Sequence, residues 1–186
     1  NVPNHLSPEM QKILTGWTPY WEAEGFKLPA IDDFEGWRRQ SKAQGDMATK
    51  IGQGVLAEFG VDVKERQIRG VRVLDVKPKG WEQHKEKVII HTHGGGFYAN
   101  TPESSASSYV PLAAKLKVRV ISVDYTLMPQ KDWSVLKQRD QVVAVYKSLI
   151  EDEGFKPKNV GAFGCSAGGH LALSFCNNVS KENYPL

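Results

Sequence analysis

Cysteine is scarce in this chain of 186 residues, with Cys165 and Cys176 the only two. If both lie on one helix they sit about 16 Å apart, far beyond disulfide reach. No disulfide framework is expected, and the redox compartment stays open. Long apolar runs are missing as well. The one extended uncharged stretch, Asn159 to Ser180, is interrupted by glycines, asparagines, serines and a histidine, so no membrane span is expected there. An excess of one charge is also absent, since 24 Lys and Arg face 21 Asp and Glu for a net charge of +3. The densest basic run, Lys64 to Lys87, is broken by Glu65, Asp75, Glu82 and Glu86. It reads as a solvated sheet face, and no nucleic-acid partner is expected. The chain starts at Asn1 without an initiator Met or a signal-like apolar segment, which reads as a removed leader or a trimmed start. Asn178-Val179-Ser180 is a glycosylation sequon, a triplet that also arises by chance.

What is present suffices for a core, at 40% hydrophobic and 10% aromatic residues. Ser7 followed by Pro8 is a helix start, with Met10, Ile13, Leu14 and Trp17 at helical spacing behind it. Asp32 with Glu35 resembles a capping box before a second helical stretch. There Phe34, Trp37, Met47, Ile51, Val55 and Phe59 share one side, while Gly36, Gly45, Gly52 and Gly54 weaken the pattern. From Val61 the period becomes two, and residues 61 to 78 are expected to form an antiparallel hairpin turning near Arg69-Gly70. Three apolar runs follow, Val88 to Ile90, Val118 to Val123 and Asn159 to Phe163, separated by helical patterns at Ser104 to Lys117 and Ser134 to Glu151. Alternation of this kind predicts an α/β fold with a mostly parallel sheet covered by helices on both faces.

Two glycine-rich segments fall at the carboxyl ends of expected strands, where such sheets keep their functional loops. His93-Gly94-Gly95-Gly96-Phe97 follows the first strand. Gly164-Cys165-Ser166-Ala167-Gly168-Gly169 follows the third and has the Gly-x-Ser-x-Gly frame. A nucleophile on a sharp strand-to-helix turn needs minimal side chains two positions before and after it, here Gly164 and Gly168. Ser166 would project its hydroxyl at a helix N-terminus whose dipole favours developing negative charge. Consecutive glycines in the first segment let N–H groups face a substrate oxygen, and the Ala167 N–H can join them as an oxyanion hole. Cys165 lies off the centre of the frame and is the weaker candidate nucleophile. His91-x-His93 places two imidazoles on one side of a strand without a third ligand, so no metal is expected. His93 reads instead as a brace for its loop, bonded to backbone. Trp17, Tyr20, Trp21, Phe26 and Trp37 are candidates for an acyl pocket or for plain packing.

His93-Gly94-Gly95-Gly96, Asp124-Tyr125-Thr126-Leu127-Met128-Pro129 and Gly164-Cys165-Ser166-Ala167-Gly168-Gly169 together resemble the three signatures of the hormone-sensitive-lipase-like carboxylesterases, a family of the α/β-hydrolase fold. The resemblance runs from about Val61 to Cys176. It implies Ser166 as catalytic nucleophile, the N–H groups of Gly95, Gly96 and Ala167 as oxyanion hole, a small-molecule ester as substrate and no cofactor. It also implies an amino-terminal helical cap over residues 1–60 and the amino-terminal part of the catalytic domain over 61–186. The family has Asp at the position of Cys165, Asn at that of His170, and Ala-Pro-Glu where this chain has Met128-Pro129-Gln130.

A serine hydroxyl needs an imidazole to take its proton and a carboxylate to orient that imidazole, in the chain order Ser, Asp or Glu, His for this fold. Behind Ser166 the only histidine is His170, one helical turn on and poorly aimed. The expectation is therefore that a carboxyl-terminal fragment or second polypeptide supplies both groups and completes the sheet. A hydrolase-fold ligand receptor lacking the triad histidine is the alternative from another class, and an inactive interaction domain a third.

Overall fold

The valine-rich segments after Gly60 become strands because β-branched side chains fit a pleated surface. The computed structural model describes residues 4–15, 28–130 and 133–181, and the chain divides between Phe34 and Glu35 into two compact units. In the first, helix α1 (Pro8–Thr15) starts as expected, with Ser7 Oγ accepting from the Met10 N–H at 3.3 Å.

The second unit carries helix α2 (Phe34–Glu58) and the hairpin of β1 (Asp62–Ile68) and β2 (Val71–Lys77). The hairpin turns at Arg69 and Gly70, both with positive φ. Behind it alternate β3 (Val88–Thr92), α3 (Ala106–Leu116), β4 (Arg119–Val123), α4 (Val135–Glu151), β5 (Val160–Gly164) and α5 (Ala167–Lys181). Ser134 caps α4 by accepting from the Lys137 N–H at 3.0 Å. The sheet runs β1-β2-β4-β3-β5, antiparallel across the first three strands and parallel across β4, β3 and β5. Register pairs Thr92 with Gly164, so the loops leaving β3 and β5 start side by side. The expected α/β architecture is present, and in the described part its sheet is mixed, with as many antiparallel as parallel pairings.

Each face of the sheet has its own core. Val73, Ile90, Ile121 and Val123 pack with Val142, Tyr146 and Leu149 of α4 and Leu171 and Phe175 of α5. Leu74, Val76 and Val120 pack with Tyr109, Val110 and Ala113 of α3, joined by Val55 and Leu56 of α2. β4 is buried along its whole length, but Gly161 and Ala162 of β5 are exposed. Among the described residues β5 pairs with β3 alone, so its other edge is open.

The large apolar side chains expected to bury one side of α2 do not all do so. Phe34, Ile51 and Phe59 are exposed, whereas Gly36 and Gly52 are buried. A Cβ on Gly52 would lie 1.8 Å from the Glu103 carbonyl oxygen. Of the glycines that weakened the helical pattern, Gly52 is thus where the helix meets its neighbour, because only a missing side chain permits so close an approach, whereas a Cβ on Gly45 or Gly54 would meet open space.

Beneath the helices, a charged cluster ties distant segments together. Arg119 donates to both carboxylate oxygens of Asp75, at 2.7 and 2.8 Å, and to Glu153 at 2.6 Å. Arg66 bridges the same two acids, each at 2.9 Å. Asp75 and Arg119 are both buried. Removing one partner of such a pair strands the other charge away from water, at a cost of about 3–5 kcal/mol. Asp75→Ala leaves Arg119 with Glu153 as its remaining partner and is therefore expected to lower unfolding free energy in urea titration, by less than about 3–5 kcal/mol. Stability equal to the parent's would show that water reaches Arg119.

Candidate active site

The turn from β5 into α5 fits only because two of its residues lack side chains. A Cβ on Gly164 would fall 2.5 Å from Thr92 Oγ1 and from the Gly168 carbonyl, and one on Gly168 would fall 2.0 Å from the Thr92 carbonyl oxygen. Thr92 Oγ1 donates to the Gly168 carbonyl at 2.7 Å, fastening the end of β3 to the first turn of α5. Between these glycines Ser166 has φ of 54°, a left-handed backbone that non-glycine residues adopt at a cost. Its side chain is exposed, as is that of Cys165. α5 begins at the next residue, Ala167, placing the positive end of the helix dipole at the serine.

The loop after β3 lies against this turn. A Cβ on Gly94 would be 2.9 Å from the Cys165 carbonyl oxygen and 3.5 Å from Ser166 Cβ. Gly95 and Gly96 have φ of 121° and 59°, and a Cβ on Gly95 would strike the Ala99 carbonyl oxygen at 2.2 Å. The carbonyls of His93, Gly94 and Gly95 are occupied. His93 O accepts from the Tyr125 hydroxyl, and Gly94 O from His93 Nδ1 at 2.9 Å and Asn100 Nδ2 at 3.2 Å. Gly95 O accepts from the N–H groups of Tyr98 and Ala99, at 3.1 and 2.9 Å. No hydrogen bond among the described residues uses the N–H of Gly95, Gly96 or Ala167.

His93 is the expected brace, stacked on Tyr125 with ring centroids 4.2 Å apart. His91 turns to other partners, with Nδ1 2.8 Å from Ser122 Oγ and Nε2 3.2 Å from Ser108 Oγ. Because Ser108 spends its own proton on the Ser105 carbonyl at 2.7 Å, Nε2 carries the ring proton and Nδ1 accepts from Ser122. His170 is exposed and meets Phe97 edge-on at 5.9 Å. Among the described residues, no hydrogen bond joins an imidazole to the Ser166 hydroxyl. Trp37 packs edge-on against Tyr98 at 5.0 Å. Trp17, Tyr20, Trp21 and Phe26 lie outside the described residues. The sequence reading missed Thr92 and Asn100. Nothing marks Thr92, whereas an Asn shortly after a glycine run signals a left-handed turn residue.

The geometry is a strained serine at a strand-to-helix turn beside a glycine loop, at the carboxyl ends of adjacent parallel strands. A family described as alpha/beta hydrolase fold matches residues 89–186, and the chain belongs to it; the resemblance to its hormone-sensitive-lipase-like carboxylesterases stands. An esterase of Acinetobacter venetianus is 30% identical over 122 residues, 66% of this chain and 38% of that protein. Versiconal hemiacetal acetate esterase of Dothistroma septosporum is 30% identical over 125 residues, 66% of this chain and 37% of that protein. The chain thus spans less than half the length of these relatives. Among solved structures, that of an esterase E25 superposes with a TM-score of 0.83 at 24% identity, covering 100% of this chain and 55% of that one. That likeness shows the fold alone.

Burial of the two histidines makes the protein acid-sensitive. Loss of hydration holds His91 down to about 3 and His93 down to about 4, while unfolded imidazoles titrate near 6.5. Below that value the unfolded chain takes up protons that the folded chain refuses, so stability is full above about pH 7 and falls as pH drops from 6.5 toward 4. Urea midpoints across this range are expected to decline less steeply in His91→Gln than in the parent. Equal slopes would show that folded His91 takes up its second proton as readily as the unfolded imidazole does.

Proposed function

We propose that the protein is a serine carboxylesterase acting on small to medium uncharged esters. Ser166 attacks the ester carbonyl, and the N–H groups of Gly95, Gly96 and Ala167 receive the oxygen as it becomes negative. An imidazole takes the Ser166 proton and returns it to the leaving alcohol, and water then releases the acid from the acyl-enzyme. We further propose that this imidazole and its orienting carboxylate come from a carboxyl-terminal segment or second polypeptide, which would also pair with the free edge of β5. Residues 1–60 would contribute a cap over the substrate.

One observation carries the proposal. Ser166 is held at φ of 54° in a turn whose flanking glycines admit no side chain, against a loop in which the carbonyls of His93, Gly94 and Gly95 are engaged by hydrogen bonds within the chain. A trans peptide points its N–H opposite to its C=O. The Gly95 and Gly96 N–H groups are accordingly directed away from the loop interior, as donors to an incoming oxygen must be.

A fluorophosphonate probe is expected to label Ser166 in the complete protein, and Ser166→Ala to remove both labelling and ester hydrolysis. Label that survives Ser166→Ala or maps to Cys165 would overturn the assignment.

Gly95→Ala would push a methyl group into the Ala99 carbonyl and rotate a donor. Loss of one oxyanion donor costs about 3 kcal/mol of transition-state stabilisation, so kcat is expected to fall at least a hundredfold. Unchanged turnover would mean that this loop does not face the reacting carbonyl.

A further inference from the structure

We infer that Asn100 is a positioning residue for the oxyanion loop. Its side-chain amide, with the His93 ring, holds the Gly94–Gly95 peptide in the one orientation that presents the Gly95 N–H to the reacting oxygen. The inference rests on the esterase function proposed above.

The peptide needs holding. Turning its plane through half a revolution changes only ψ of Gly94 and φ of Gly95, and neither residue has a Cβ to oppose the motion. The turned peptide would offer a carbonyl where the N–H had been. A developing oxyanion would then meet an acceptor in place of a donor, and the site would lose the interaction that lowers its barrier.

Hydrogen bonds to Gly94 O resist that rotation, and only two reach it among the described residues, from His93 Nδ1 and Asn100 Nδ2. His93 acts from the adjoining residue with its ring fixed on Tyr125. Asn100 acts from across the loop. The N–H groups of Tyr98 and Ala99 fold back onto Gly95 O, which returns the chain toward its own start and brings Asn100 over the peptide. Asn100 has φ of 74°, a backbone that Asn tolerates better than most side chains because its short polar group bonds locally. Its Nδ2 lies 3.0 Å from where a Cβ on Gly95 would stand, so the amide packs directly on the residue it orients. A glycine at position 100 would satisfy the backbone equally well. The amide is what the second anchor requires.

Two variants separate the roles. Asn100→Gly keeps the left-handed backbone and deletes the donor, and Asn100→Asp keeps the size and exchanges the donor for an acceptor. In the complete protein, with p-nitrophenyl butyrate as substrate, each is expected to lower kcat about tenfold, part of the loss seen when a donor is removed outright. KM should stay within about twofold, since the substrate carbonyl leans on the hole mainly in the transition state. The inhibition constant of an alkyl trifluoromethyl ketone, whose adduct places an oxyanion in the hole, should rise by the same factor as kcat falls. Asn100→Gly should melt as the parent does. Parental kcat in both variants would overturn the inference, as would losses of kcat and KM that track melting temperature. If the parent itself hydrolyses no ester, the esterase function falls, and the crystal structure of Asn100→Gly then decides this point. A turned or split Gly94–Gly95 peptide supports the clamp, and a single peptide in the parental orientation overturns it.

Discussion

The close approach of backbone to backbone at the carboxyl ends of β3 and β5 is the constraint on which the rest depends. Gly164 and Gly168 leave no room for a Cβ against Thr92 and His93, and the Thr92 hydroxyl closes the gap by binding the Gly168 carbonyl. That contact forces the sharp turn in which Ser166 takes its left-handed backbone. It also sets the glycine loop beside the serine. The sheet supplies the alignment, since parallel pairing of β3 with β5 places Thr92 opposite Gly164. Burial of Val88 and Ile90 beneath α4 and α5 keeps that register from slipping.

The site is built from carbonyls that are satisfied inward. Tyr125, His93, Asn100 and the Tyr98 and Ala99 amides each consume an acceptor of the glycine loop, which leaves the donors facing out. In the proposed esterase, preorganisation of this kind would mean that little reorganisation is needed when charge develops. Its cost is borne by strained backbone at Phe97, Asn100 and Ser166, all with positive φ. The cores on both faces of the sheet hold them there.

Local rules made much of this legible. The hairpin turn at Arg69-Gly70, the cap at Ser7, the strand-helix alternation and both glycine segments announce themselves within a few residues of sequence. What stayed hidden depends on pairing at a distance. Asp75 and Arg119 are 44 residues apart, and nothing near either foretells their ion pair. The packing of Gly52 against Glu103 reversed the expectation for α2, because periodicity scores large apolar side chains and is blind to a helix that approaches through its glycines. Asn100 is legible as a left-handed turn residue, but its bond to a backbone carbonyl leaves no mark in the sequence.

The central proposal is that Ser166 and the oxyanion donors act with a base and carboxylate supplied by a carboxyl-terminal segment or second polypeptide. Ester hydrolysis by this chain expressed alone, then recombined with the carboxyl-terminal polypeptide, tests it most directly. The account predicts at most a small residual rate from the chain alone, supported by the donors without an imidazole, and full turnover on recombination. Full turnover from residues 1–186 alone would contradict it and would mean that the base already stands within this chain.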